Sequence, residues 1–185
     1  MAILSHLSRF AQSLRRQWKS HVATLGLVVA VLVGVQVWQT RGVPSGPAPD
    51  FAFTLVQPDG SQSNTTLAQW RASHPGQPVA LHVWAEWCPI CRTEENSVTR
   101  LTKDWPVLTI AMQSGPVGQV ARVQAQRQLP WTTAIDPRGE IARQLGFKAV
   151  PAFVVVDAKG DLRAASAGYT SEIGMRLRLW WVRLF

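Results

Sequence analysis

The amino-acid sequence predicts an α/β sandwich with a mixed central sheet, preceded by a single membrane-spanning helix. Three observations carry this. Residues Val22 to Trp38 form one unbroken apolar stretch. Beyond it, short runs rich in Val, Ile, Leu and Phe alternate with stretches of helical spacing, the pattern of helices laid over a sheet. Near the end, two apolar runs flank Asp157-Ala158-Lys159-Gly160, a hairpin turn that adds antiparallel pairing.

The first stretch reads VATLGLVVAVLVGVQVW, 17 residues with Gln36 as its one strongly polar side chain. That length lies at the lower edge of what spans a hydrocarbon core of about 30 Å. Trp18 and Trp38 flank it as interfacial aromatics do. Arg9, Arg15, Arg16 and Lys19 precede it and only Arg41 follows closely. Positive charge stays on the cytoplasmic side, so the chain after Trp38 is expected outside. A cleaved signal peptide needs small residues after the apolar run, but QVWQTRGVPSGPAPD is bulky and then charged, with Ser45 to Ala48 the one late site. The expected division is a cytoplasmic basic tail (1–21), a transmembrane anchor (22–38), a Gly/Pro linker (39–49) and a folded domain (50–185). The anchor is expected in a bacterial inner membrane, single-pass, with the domain in the periplasm. Thr40 to Pro49, TRGVPSGPAP, has little to bury and reads as a tether.

Within the domain, Phe51 to Val56 is a short strand ended by the turn Pro58-Asp59-Gly60. Thr66 to Ala72 gives one or two helical turns, with Leu67 and Trp70 on one face. Pro78 to Trp84 is a strand whose apolar residues fall on both parities, as suits a central strand covered on both faces. Pro89 to Lys103 is helical, and Val107 to Met112 is a strand. In Val117 to Gln128 the helical spacing falls on Val117, Val120, Val123 and Ala125. Trp131 to Ile135 is a strand, and Arg138 to Leu145 a helix that Gly146 stops. Pro151 to Val156 and Leu162 to Ala167 form the hairpin. Ser171 caps a last helix that has Glu172 in its first turn and holds Leu177, Trp180, Trp181 and Leu184.

Charge excludes one class of partner. The formal net charge of +8 divides unevenly: from Asp50 onward, 14 Lys/Arg stand against 11 Asp/Glu, which leaves the domain +3. No basic run interleaved with aromatics appears there, so no nucleic-acid partner is expected.

Chemistry concentrates at the two cysteines, Cys88 and Cys91. With no third cysteine they form a local motif or nothing. They follow a buried strand and open a helix, where unpaired amides and the macrodipole favour a thiolate at Cys88. Pro89 suits the first helical position. Cys91, one turn later, is expected to be more buried and less acidic. Cys88 then exchanges with a partner's sulfur, and Cys91 resolves the mixed disulfide. No cofactor beyond a Cys88–Cys91 disulfide is expected, and no metal. A zinc site needs further ligands, and His74 and His82 are the domain's only histidines. A Cu(I)-carrying module stays open as the rival, because two thiolates suffice and Met112 or His82 could assist.

Trp84-Ala85-Glu86-Trp87-Cys88, followed far downstream by Val150-Pro151, resembles the two signatures of the thioredoxin superfamily. The likeness runs from about Pro49 to Phe185 and implies a thioredoxin-like three-layer sandwich. It also implies a cis peptide before Pro151, packed against the cysteines, with the Val150 backbone pairing to bound partner strands. More narrowly, the anchor, Ala48-Pro49-Asp50-Phe51, Asp59-Gly60, Leu67 with Trp70, and Cys88-x-x-Cys91-x-x-Glu94 are similar to the TlpA/ResA/DsbE branch of tethered periplasmic thioredoxins. The wording Trp87-Cys88-Pro89-Ile90-Cys91 is similar to ScsD-type proteins linked to suppression of copper sensitivity. The resemblance implies an exchanger of disulfides with partner proteins, working as a reductant in cytochrome c maturation or copper stress. An inner-membrane electron donor would reset it.

Two positions depart from thioredoxin or bear on mechanism. His82 stands where thioredoxin has a buried Asp; it could relay a proton to or from Cys91, or be a core histidine with no role. Glu94 could raise the cysteine pKa values or exchange protons, or be a solvated helix-face residue like Glu95. Glu86 is expected to be exposed. Trp87 is placed to shield the disulfide and, with Pro89 and Ile90, to shape the surface met by partners.

Overall fold

A computed structural model describes residues 2–185, with side chains from Trp18 onward. It divides into two units, Met1–Trp38 and Gln39–Phe185. The helix α1 runs Ala2–Thr40. Within it, the 23 residues Trp18–Thr40 form a span long and apolar enough to cross a membrane, with side chains turned outward. At 1.5 Å per residue it is about 35 Å long. The side chains of Arg9, Arg15 and Arg16, in the expected cytoplasmic tail, lie outside the described residues. The helix also takes in Gln39 and Thr40, the first residues expected in the linker, since no breaker precedes Gly42.

Among the described residues of the second unit, eight strands form one sheet: β1 (Gly46–Pro47), β2 (Ala52–Val56), β3 (Gln62–Thr66), β4 (Val79–Trp84), β5 (Val107–Met112), β6 (Thr132–Asp136), β7 (Ala152–Val156) and β8 (Asp161–Ala167). Their order is β1-β8-β7-β4-β5-β6-β2-β3. Strands β4, β5 and β6 are parallel, β7 and β2 join them antiparallel at either side, and β8 pairs antiparallel with β7, so the sheet is mixed. The helices are α2 (Leu67–Ala72), α3 (Pro89–Leu101), α4 (Val117–Arg127), α5 (Glu140–Gln144) and α6 (Glu172–Leu184).

Alternation along the strands makes two cores. On one face Leu81, Val83, Ile110 and Val154 meet Leu67 and Trp70 of α2 and Ile141 and Leu145 of α5. On the other, Ala80, Trp84, Ala111 and Phe153 meet Val98 and Leu101 of α3, Val120 of α4, and Met175 and Leu179 of α6. Every residue of β4 and of β5 is buried.

Three features differ from the sequence expectation. The linker is not a free tether: β1 pairs with β8, the Ala48 N–H donates to the Gly160 carbonyl at 2.8 Å, and Val43 and Ala48 pack on the core. Gly146, which ends α5 at φ 82°, leaves room for the Gly42 carbonyl where a Cβ would stand. Strand β3, QSNTT, has no apolar alternation to announce it; it is held by backbone pairing to β2 across a turn in which Asp59 Oδ1 accepts from the Ser61 N–H at 2.9 Å. In α4 the inward face takes Val120, Val123 and Gln124 and leaves Ala125 exposed, because helical geometry places 120 and 124, not 125, one above the other. The Gln124 Nε2 donates to the Trp131 carbonyl at 2.9 Å and to Thr133 Oγ1 at 2.8 Å.

Candidate active site

Cys88 is the N-cap of α3, extended at φ −87° and ψ 112°, and its Sγ accepts the Cys91 N–H at 3.2 Å. A sulfur in this position satisfies one of the donors that a helix start leaves unpaired. Pro89 occupies the first turn, where its missing N–H removes no bond. The carbonyl of Val150 accepts from the Cys88 thiol at 3.8 Å, and the Val150–Pro151 peptide is cis. The structure thus brings together Cys88, Cys91, Val150 and Pro151 from points 60 residues apart in the chain.

Both cysteines are free thiols, and both are buried, at 3% and 2% exposure. Cys91 is the more buried of the two, as expected, though by a narrow margin; it is their neighbours that differ. Cys88 lies between exposed Trp87 and exposed Pro89-Ile90, at the surface rim. Cys91 belongs to the interior side of α3, one turn before Glu94. Burial pushes the Cys91 thiol far above its ordinary value, reinforced by the Cys88 sulfur and the Glu94 carboxylate. This has a consequence for stability. The folded reduced chain holds the Cys91 proton more tightly than the unfolded chain does, so unfolding free energy falls as pH rises past the ordinary thiol value of 9.0. The slope reaches at most about 1.4 kcal/mol per pH unit. Oxidised protein has no thiol to titrate and should lack this slope, a difference readable from urea midpoints of both forms on either side of that pH.

Glu94 is not a solvated helix-face residue: it is 1% exposed. Its Oε2 meets His82 Nε2 at 3.0 Å, and its Oε1 accepts the Thr170 N–H. His82 shares the parity of Ala80 and Trp84 on β4, which turns it toward the core that holds both cysteines. Trp131 stands edge-on to His82 at 6.1 Å and to Trp84 at 5.3 Å, closing the pair off from water. Among the described residues, none supplies a hydrogen-bond partner to His82 Nδ1. A buried imidazole–carboxylate pair one turn from Cys91 can take up or return a proton. Met112 alternates with Ala111 and packs with the opposite face of the sheet, so the structure does not bring it to the thiols. Among the described residues no group of three or more His, Cys, Asp or Glu is placed to hold a metal.

The active-site loop is fastened by residues the sequence did not single out. The Trp87 indole N–H donates to the Gln113 carbonyl at 3.1 Å, which holds its exposed ring in place. Glu86, expected to be exposed, is half-buried: its N–H donates to Ser114 Oγ at 3.0 Å and its carboxylate accepts from Gln119 Nε2 at 2.6 Å. Arg127 bonds both the Glu86 carbonyl at 3.0 Å and the Glu95 carboxylate at 2.9 Å, tying α4 to the loop and to α3. These partners lie 26 to 41 residues away in sequence, and no local pattern signals them.

Residues 44–165 match the AhpC/TSA family. The chain belongs to that family. Among curated relatives of similar sequence, a thiol:disulfide interchange protein DsbE of Allochromatium vinosum is 31% identical over 150 residues, covering 78% of this chain and 79% of that one. A thioredoxin-like protein of Haemophilus influenzae is 29% identical over 110 residues, covering 59% of this chain. The chain spans 65% of that relative's length. The fold recurs in the exposed lipoprotein thioredoxin of Streptococcus pneumoniae, with a TM-score of 0.60 at 19% identity over 72% of this chain and 99% of that one. It recurs also in a thiol:disulfide interchange protein of Chlorobium tepidum, at 0.59 and 20% identity over 76% and 97%. Thioredoxin-like architecture with a mixed sheet is therefore the fold of this family member.

Proposed function

We propose that the chain is a thiol–disulfide oxidoreductase of the bacterial envelope that reduces disulfides in partner proteins, with α1 as a single-pass anchor in the inner membrane. The observation that carries this reading is the Cys88–Cys91 pair at the start of α3, set against the Val150 carbonyl. The interchange proteins among the relatives support the same class of reaction.

In the reaction the Cys88 thiolate attacks a partner disulfide. A Cys88–partner S–S bond forms, the partner's own bond breaks, and the released sulfur takes a proton. Cys91 passes its proton to the His82–Glu94 pair and attacks Cys88 Sγ. The second partner sulfur leaves as a thiol by taking the proton that the pair received, and the chain ends with a Cys88–Cys91 disulfide after giving up two electrons. An inner-membrane dithiol donor restores the pair. Cytochrome c precursors with paired cysteines, or proteins oxidised under copper stress, are the partner classes.

Thiol trapping in intact cells tests the proposal. The pair should be reduced when the membrane electron donor is present and oxidised when it is deleted. A pair oxidised in both strains overturns the reductant direction. Tight stoichiometric Cu(I) on the reduced chain, without insulin-reductase activity, would overturn the enzymatic reading.

A further inference from the structure

Helix α6 is apolar on two opposite faces. Met175 and Leu179 point inward and are fully buried against α3 and the sheet. Ile173, Leu177, Trp180, Trp181 and Leu184 recur at i, i+4, i+7, i+8 and i+11, which is a single helical face, and this face points away from the domain. Its residues are 49 to 71% exposed. Phe185 extends the stripe, its ring 4.6 Å from that of Trp181. A water-facing helix of a globular domain needs only one apolar face, and a second one of this size marks a contact surface.

We propose that this outer face of α6 lies in the headgroup region of the membrane that holds α1, so that the domain is attached to lipid at two points. The proposal rests on the reading of α1 as a membrane anchor. Side-chain chemistry fits lipid. After Glu172 the helix has no acidic residue and carries Arg176, Arg178 and Arg183. Leucines and Trp rings facing out, with arginines at the flanks, form the composition of a helix that lies in a membrane interface. Arg183 sits over the Trp105 and Trp180 rings, 5.7 Å from each, which keeps its charge at the border of the apolar stripe.

Arg176 is paired with Asp104 at 2.8 Å and Glu172 at 2.9 Å, which leaves Arg178 and Arg183 as the flanking charges; a second copy of the chain laid on the stripe would bring these like charges together, whereas phosphate headgroups supply them with anionic partners.

The test uses the full chain in nanodiscs of phosphatidylethanolamine and phosphatidylglycerol. Photoreactive p-benzoylphenylalanine replaces, one at a time, Leu177 on α6, Trp38 in α1, and Ser63 on β3 at the opposite edge of the sheet. All three positions are exposed, so none disturbs the core. Lipid adducts are expected at Trp38 and at Leu177, the latter about tenfold above Ser63. Adducts at Trp38 with Leu177 no higher than Ser63 overturn the proposal and leave the anchor standing. Absence of lipid at Trp38 overturns the anchor and this proposal with it. A crosslinked dimer at Leu177 in place of lipid assigns the face to a second copy and overturns it as well.

Discussion

The Cys91→Ser variant is expected to accumulate mixed disulfides between Cys88 and partner proteins, and Cys88→Ser to accumulate none. The reason lies in the two sulfurs' surroundings. Cys88 borders exposed Trp87, Pro89 and Ile90 and faces the Val150 carbonyl, so it is the sulfur that a partner strand lying along Val150 would meet. Cys91 has its backbone N–H turned to Cys88 Sγ and its side chain among core residues, placed to attack Cys88 and nothing else. Serine at 91 keeps the amide that caps Cys88 but has no sulfur to displace the partner, so the covalent intermediate persists. Serine at 88 removes the sulfur that breaks the partner's disulfide, and insulin reduction should fall to the uncatalysed background in both variants. Non-reducing gels followed by mass spectrometry of the trapped species read the result. Mixed disulfides through Cys91 in the Cys88→Ser chain, with none in Cys91→Ser, would reverse the roles of the two thiols.

Much of this site is legible before any coordinates. The cysteine spacing, the strand before it and Pro89 after it locate a helix start, because each restricts the backbone locally. Val150-Pro151 is legible only through family resemblance, since a proline opening a strand has an ordinary trans reading as well. The burial of Glu94 is not legible. Its neighbour Glu95 has the same side-chain chemistry and differs by 100° around α3, and which of the two turns inward depends on how that helix rolls on β4. Parity alone assigns His82 to the face of Ala80 and Trp84; only the docking of α3 converts that into a contact with Glu94. The same limit applies to Arg127, Ser114 and Gln119, whose partners lie on other elements. Strand β3 was hidden because its pairing is carried by backbone bonds; α6 is legible as a helix from Ser171 and Glu172, but a count of apolar residues does not separate its buried face from its outer one.

The His82–Glu94 pair separates structural from chemical roles through two substitutions at one position. Glu94→Ala strands His82, whose Nδ1 already has no partner among the described residues, and removes the acceptor of the Thr170 N–H. Leaving buried polar groups without their hydrogen-bond partners costs about 1–3 kcal/mol each, so urea unfolding of the full chain should show a loss of that order. Glu94→Gln keeps the volume and an oxygen for the Thr170 N–H, and should fold with a much smaller loss, but it cannot accept a proton. Cys91, whose thiol is pushed well above its ordinary value, must then lose its proton to solvent. The resolution step, followed in single turnover from a Cys88 mixed disulfide, should slow by about 10²-fold or more, within the range that general bases contribute. Its rate should also climb with pH across the neutral and alkaline range, because hydroxide now competes for the proton that the carboxylate took in the parent chain. A Glu94→Gln chain that resolves at the parent rate with the parent pH profile would make the pair a packing device alone, and would move the acid–base step of the mechanism to solvent.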